Sequence, residues 1–264
     1  MFFHKETLRE IISLKYYFSQ KEELANLDNI DLWIRMVATN RLTGHSSGFF
    51  SVYTLPPNMA VSQESQKRIN LKRNQIPEYR NTKEIIVKKT KDLIKNLSEN
   101  QKTILRGIGK KSLFINCDAR YTSVIKNESI NLIVTSPPFL DIVQYAADNW
   151  LRCWFNDIDD DLTSRITMSK TIEDWENVMN DVFKEFYRIT KNNALIAFEV
   201  GEIKNGKLNL DEYVVKIGIN NGFKCIGIMI NSQIFTKTAN IWGIKNNSKG
   251  TNTNRIVIFQ KNKL

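Results

Sequence analysis

At 264 residues, 42% hydrophobic and 25% charged, the chain can bury one substantial core, or one core with a small appended lobe. Three widely spaced cysteines (Cys117, Cys153, Cys225) and only two histidines (His4, His45) argue against a disulfide framework, a metal site and histidine acid–base chemistry. The formal charge of +10 favours a polyanionic partner, and the lack of a roughly 20-residue apolar run or a secretory leader predicts a soluble, cytoplasmic protein without membrane contact.

Leu8, Ile11, Ile12 and Phe18 follow helical spacing, and Leu32, Ile34, Val37 and Ala38 predict a second helix beyond Asp28. Arg41 to Met59 combines Gly44, Gly48, Pro56 and Pro57 with Phe49, Phe50 and Tyr53 without a period, which predicts an irregular loop. Gln63 to Lys111 is strongly basic and predicted helical. Its charges fit either a solvated helical face or a surface that contacts phosphates.

From there the periods of strands and helices alternate. Leu113 to Cys117 is predicted as a short strand ending at Asp118, and Asn131 to Thr135 as the next. Trp175 to Ile189 has the spacing of an amphipathic helix, Ala194 to Val200 that of a strand ending at Gly201, and Asp211 to Asn221 that of a helix stopped by Gly222. Phe223 to Ile230 and Asn254 to Phe259 complete the pattern as an antiparallel pair. The expected fold is α/β, a partial Rossmann-like sheet with helices on both faces behind an N-terminal helical and irregular segment. The expected division is a helical, basic region at 1–111 and an α/β domain at 112–264.

Asn131 to Phe139 carries the chemistry. Its first five residues have the apolar, β-branched character of an inner strand covered on both faces, and Pro137 and Pro138 forbid the ladder from continuing. Successive prolines remove two backbone donors, so the carbonyls there are free to accept from a ligand, such as a planar one with an amino group. Ligands of open α/β sheets gather at the carboxyl ends of strands. Here those ends would present Asp118, then Ser136 to Phe139, then Glu199 to Gly201.

Thr135-Ser-Pro-Pro-Phe139 resembles the catalytic motif of the DNA amino-methyltransferases, which move a methyl group from S-adenosylmethionine to an exocyclic amine of cytosine or adenine. The resemblance covers most of the chain from about Asn40 and is to a subset of bacterial site-specific enzymes, of the kind found in restriction and modification. It implies double-stranded DNA as partner and S-adenosylmethionine as cofactor. Ser136, Pro137, Pro138 and Phe139 would be catalytic, and Asp118, Glu199 and Gly201 would face the cofactor. Serine in the first place points to cytosine-N4, with adenine-N6 or RNA methyl transfer as the alternative. The residue chemistry makes the same demand: an exocyclic amine is a poor nucleophile, so Ser136 Oγ and the Pro137 carbonyl must accept its hydrogens while Phe139 stacks on a flipped base. The resemblance makes 112–264 an incomplete catalytic domain and 1–111 the region of target recognition, with Arg41, Lys67, Arg68, Lys72, Arg73 and Arg80 the candidate DNA contacts.

One part of the family pattern has no match before Asp118: a strand, a glycine-rich turn and a helix that cradle the cofactor. Gly107-Ile-Gly109 lies between a helix and a strand, which is the wrong order, and Glu202-Ile203 stands where glycines would follow Gly201. A second subunit carrying the glycine-rich loop is therefore expected to complete the sheet and the pocket. A non-catalytic nucleic-acid-binding subunit, or a truncated product, is the other explanation.

Overall fold

The computed structural model describes residues 1–52, 60–138, 145–158, 166–167, 169–203, 208–232 and 253–262. They belong to two compact units: Met1–Phe114 with Tyr145–Leu162, and Ile115–Gln144 with Thr163–Leu264. Residues 145–158, which sequence order would group with the later half, cluster with the first.

The first unit is helical: α1 (Lys5–Glu23), α2 (Asn29–Arg41), α3 (Gln63–Arg73), α4 (Thr82–Ile94), α5 (Glu99–Gly109) and α6 (Tyr145–Phe155). The start of α2 beyond Asp28 has a local cause. The Asp28 carboxylate accepts from the N–H groups of Ile30 and Asp31, and the Asp31 carboxylate accepts from the Asp28 N–H, which together satisfy the orphan donors of the first turn. Apolar residues at helical spacing, Ile11 and Phe18, Val37 and Ala38, Leu151 and Phe155, meet in one buried cluster. The Arg41 loop closes on itself, Phe50 N–H donating to Arg41 O (2.8 Å) and Gly44 N–H to Ser51 O (3.0 Å). That turn delivers Phe50 into the same core.

The second unit is built on a sheet of β1 (Ile130–Thr135), β2 (Thr190–Ile203), β4 (Phe223–Ser232) and β5 (Thr253–Lys261), in the order β1-β2-β5-β4, with the short β3 (Leu208–Asn209) paired to β2. β1 and β2 run parallel, whereas β5 is antiparallel to both β2 and β4, as the C-terminal reading expects. Two helices, α7 (Ile172–Ile189) and α8 (Leu210–Asn220), cover it. The apolar residues of α7, from Trp175 through Met179, Val182, Phe183 and Phe186 to Ile189, recur at helical spacing and all face the core. Phe183 is fully buried, with ring centroids 5.1 Å from Phe198, 5.4 Å from Phe259 and 6.0 Å from Phe223. Burying such a ring contributes roughly 1.5–3 kcal/mol, and well-oriented aromatic pairs add to it.

Ionic ties close the ends of this core. Lys261 is buried, yet its Nζ donates to the carbonyls of Tyr187 (2.7 Å) and Thr190 (2.8 Å), where a cation meets the negative end of α7. Arg255 reaches the buried Asp211 in the first turn of α8 at 3.0 Å.

The α/β class is as expected, with three local differences. Leu113 to Cys117 is not a strand: it pairs with no described strand of the sheet, and Phe114 is 99% exposed. Its apolar character has no ladder to join. Among the described residues β1 is an edge strand, with Leu132 57% and Val134 73% exposed, whereas its composition predicts an inner strand. Among the same residues, α7 and α8 also share one face. Ile196, Phe198 and Val200 of β2 and Val257 and Phe259 of β5 point into their cluster, while the partners Leu132↔Leu195, Val134↔Ala197 and Met229↔Ile256 lie on the other face.

Gly218 shows how tightly α8 sits on the sheet. A Cβ there would lie 2.2 Å from Phe259 Cε1, and Phe259 is wedged against Phe183. Alanine would gain up to about 1 kcal/mol of helix propensity, but overpacking a closed core costs roughly 1–3 kcal/mol. Gly218→Ala is therefore expected to destabilise the chain, read as a lower urea midpoint at unchanged slope; an unchanged or higher midpoint would show that the helix can lift.

Candidate active site

The parallel register Ile133↔Ile196, Val134↔Ala197, Thr135↔Phe198 sets the carboxyl end of β1 beside Phe198 of β2, which does not end at Gly201 as expected but runs on to Ile203. β1 stops at Thr135, and Ser136, Pro137 and Pro138 follow outside the ladder. Two residues without N–H donors leave the ladder nothing to continue with. Ser136 is exposed and both prolines are half-buried. β2 runs on past the break, pairing Glu199 with Ile256, Val200 with Arg255 and Gly201 with Asn254. Glu199 alternates with the buried Phe198 and Val200, so it stands on the sheet face that α7 and α8 leave open. Ser136 to Pro138 and Glu199 to Gly201 are thus brought together; Phe139 lies outside the described residues.

Ser136 to Pro138 form a lip at the end of β1, and this lip is held from behind by α7. Trp175, 1% exposed, donates from its indole Nε1 to the Pro138 carbonyl at 3.2 Å. Sequence reading placed Trp175 only as a core residue. Its Nε1–H is the side chain's sole donor and needs an acceptor when buried, which was the available signal, but the identity of that acceptor is a tertiary fact.

The segment leading into β1 is held by the other end of α7. Glu185 Oε1 accepts from Thr122 N–H (2.8 Å) and from Arg188 Nη2 (2.6 Å), and Arg188 also donates to the carbonyls of Ile125 (2.9 Å) and Thr122 (3.1 Å). Charge-assisted bonds of this kind favour the ionised carboxyl. The Arg188 guanidinium first, then Thr122, hold the Glu185 carboxyl down to about 2 against the partial burial that opposes them.

Asp118 lies in that same leading segment, at the end of no strand. Its carboxylate accepts from Arg120 Nη2 (2.7 Å) and from the Arg120 N–H (2.8 Å), and the Arg120 bond lowers its pKa. It therefore faces its own neighbour two residues on.

The candidate DNA contacts, all in the first unit, separate into two kinds. Lys67, Arg68, Lys72 and Arg73 are exposed on α3, a helix with scarcely any apolar face. Arg80 instead donates to Ser47 O (3.1 Å), and its backbone is tied to Thr7. Arg41 lies 4.0 Å over the Phe49 ring, where burial lowers its pKa. A cavity of about 970 Å³ in this unit, between α1, α2 and α4, is lined by Leu14, Trp33, Ile34 and Ile86 among others and includes none of the predicted site residues. No helix among the described residues is long and apolar enough to cross a membrane. They also contain no cluster of three or more His, Cys, Asp or Glu side chains fit to hold a metal ion.

No protein-family model matches the chain, and no curated protein matches it. Solved structures do. One is a protein of Thermus thermophilus assigned as a DNA modification methylase, in complex with S-adenosyl-L-methionine: 16% identity over 56% of this chain and 54% of that one, TM-score 0.34. Another is the cytosine-N4-specific PvuII DNA methyltransferase, at 14% identity over 56% and 48%, TM-score 0.38. A third, the [4+2]-cyclase SpnF, matches at 10% identity over 87% and 79%, TM-score 0.34. The chain spans about half the length of the two methyltransferases, and likenesses this low carry no statement about activity.

The Glu185 clamp has a pH signature. A carboxyl held near 2 in the folded chain and near 4.5 when free contributes stability that is fully present above about pH 4.5 and is lost as pH falls toward 2. The stability gap between wild type and Glu185→Gln, followed by thermal unfolding, is expected to shrink across that window. A gap that stays constant from about pH 6 down to about 2 would mean that the carboxylate is not the stabilising form.

Proposed function

We propose that the chain is the acceptor-side half of an S-adenosylmethionine-dependent DNA amino-methyltransferase, with cytosine-N4 the preferred target. The observation that carries this is the break after Thr135: an exposed serine and two prolines at the end of a parallel strand, beside the Glu199 to Gly201 stretch of its neighbour. Ser136 Oγ and the Pro137 carbonyl accept the two hydrogens of a flipped base's amine and draw its nitrogen toward tetrahedral geometry, so that the lone pair becomes available. The new N–C bond forms as the donor S–C bond breaks, and the surplus proton leaves to water. No covalent nucleophile on the protein is required.

Glu199 and Gly201 fit one side of the cofactor: a carboxylate can accept from hydroxyl or amino groups, and a glycine lets a ligand approach the backbone closely. S-adenosylmethionine would supply an electrophilic methyl group there. The described residues include no strand, glycine-rich turn and helix to form the other side. Among them the outer edge of β1 is unpaired and its outer residues are bare, which favours completion by a second polypeptide carrying that turn. The basic residues of α3 supply affinity for DNA through phosphate contacts.

Ser136→Ala is expected to lower methyl incorporation into DNA by at least about a hundredfold, the order lost when one oriented hydrogen-bonding group is removed from a transition state. DNA binding, read by a mobility shift, should stay unchanged; full activity in this variant removes the lip from the chemistry. For the two-chain reading, calorimetry on the isolated chain should show weak S-adenosylmethionine binding that tightens when the partner is added. Tight binding by the chain alone would exclude it.

A further inference from the structure

Trp175 is the largest fully buried side chain among the described residues. It sits in the first turn of α7, just after the capping residue Thr171, and packs in the cluster of Met179, Phe183 and Phe198. A buried indole N–H must find an acceptor, and many carbonyls would satisfy that need. Here it goes to Pro138, in the lip. The choice has a mechanical consequence. The rings of Pro137 and Pro138 fix φ at both residues, so a Pro138 carbonyl pinned to the core anchors this stiff pair and, through it, Ser136 just before it. The indole that holds this carbonyl is itself locked by the core.

On the reading of Ser136 to Pro138 as the amine-accepting lip, we infer that Trp175 is a positioning residue for the methyl transfer. Its Nε1–H engages the Pro138 carbonyl and thereby holds Ser136 Oγ and the Pro137 carbonyl in place for the amine. The contact also divides the labour between the two proline carbonyls: that of Pro138 is committed to the protein, which leaves the substrate to Ser136 and Pro137. Loss of the N–H should loosen the lip by a fraction of an ångström, and misplacement of a reacting group costs rate more than affinity.

The test measures transfer of labelled methyl from S-adenosylmethionine into bulk unmethylated DNA by the full chain with its co-purifying partner, as wild type, Trp175→Phe and Ser136→Ala. Trp175→Phe is expected to lower kcat about tenfold or more, with KM for DNA and for cofactor unchanged. A wild-type kcat in Trp175→Phe beside an inactive Ser136→Ala overturns the positioning role and leaves the reading of the lip standing, as does a change confined to KM or to thermal stability. A wild type that transfers no methyl group, or an active Ser136→Ala, overturns the reading of the lip and this inference with it. If Trp175→Phe does not fold, β-(3-benzothienyl)alanine at position 175 keeps the bicyclic shape and replaces the N–H by sulfur. A fall in kcat at constant KM in that protein supports the role, and an unchanged kcat overturns it.

Discussion

The parallel ladder between β1 and β2 is what the candidate site depends on. In a parallel pair the two chains leave the register of Thr135 and Phe198 in the same direction, so Ser136 and Glu199 advance side by side; an antiparallel pair would send them opposite ways. The ladder is anchored where it matters. β2 is paired along its other side with β5 from Leu195 to Gly201, and beneath it Phe198 rests on Phe183. β1 thus borrows its rigidity from a central strand, and the two prolines end it at a point defined by that strand's register. A polar lip mounted this way can be held to within the fraction of an ångström that oriented chemistry needs.

The same ladder carries the main tension in the fold. Parallel strands are ordinarily covered on both faces, yet among the described residues β1 has one paired edge and an outer face that exposes Leu132 and Val134. Covering a side chain of that size is worth roughly 1.5–3 kcal/mol, so the chain leaves stabilisation unrealised at the very edge where its candidate site lies. The exposed Phe114 and the unpaired apolar stretch around it point the same way. A sheet whose composition is that of an interior and whose position is that of a border is the physical content of the two-chain proposal.

Most elements were legible in the sequence because their causes are local. The capping pair Asp28 and Asp31 marks the start of α2, helical spacing from Trp175 to Ile189 marks α7, and Gly222, with φ +86°, marks the end of α8. The break at Ser136 was legible for the same reason, since proline acts on its own residue. What failed was whatever depends on a neighbour. Leu113 to Cys117 has the composition of a strand but no described strand to pair with, and the same composition misled for β1, where burial was inferred from residues whose covering elements do not follow from them. The Glu185 and Arg188 clamp and the Trp175 bond could not be read at all: each joins residues between 37 and 66 positions apart. Asp118 illustrates the converse, a carboxylate whose partner stood two residues away at Arg120.

The basic character of the chain, suggestive as a bulk number, resolves into groups with different capacities. A guanidinium whose donors are spent on a loop carbonyl, as in Arg80, or whose plane covers an aromatic ring, as in Arg41, stabilises its own unit and has less to offer a phosphate. Lys67, Arg68, Lys72 and Arg73 are exposed on α3, a helix of eleven residues with only Gln66 buried. Phosphate contacts of that sort carry affinity and no sequence information, so α3 could hold a duplex without choosing where on it the chemistry occurs. Under the proposed function, choice of base would then rest with the groups proposed to meet it, Ser136 and the carbonyl of Pro137, at the end of a strand paired to the centre of the sheet.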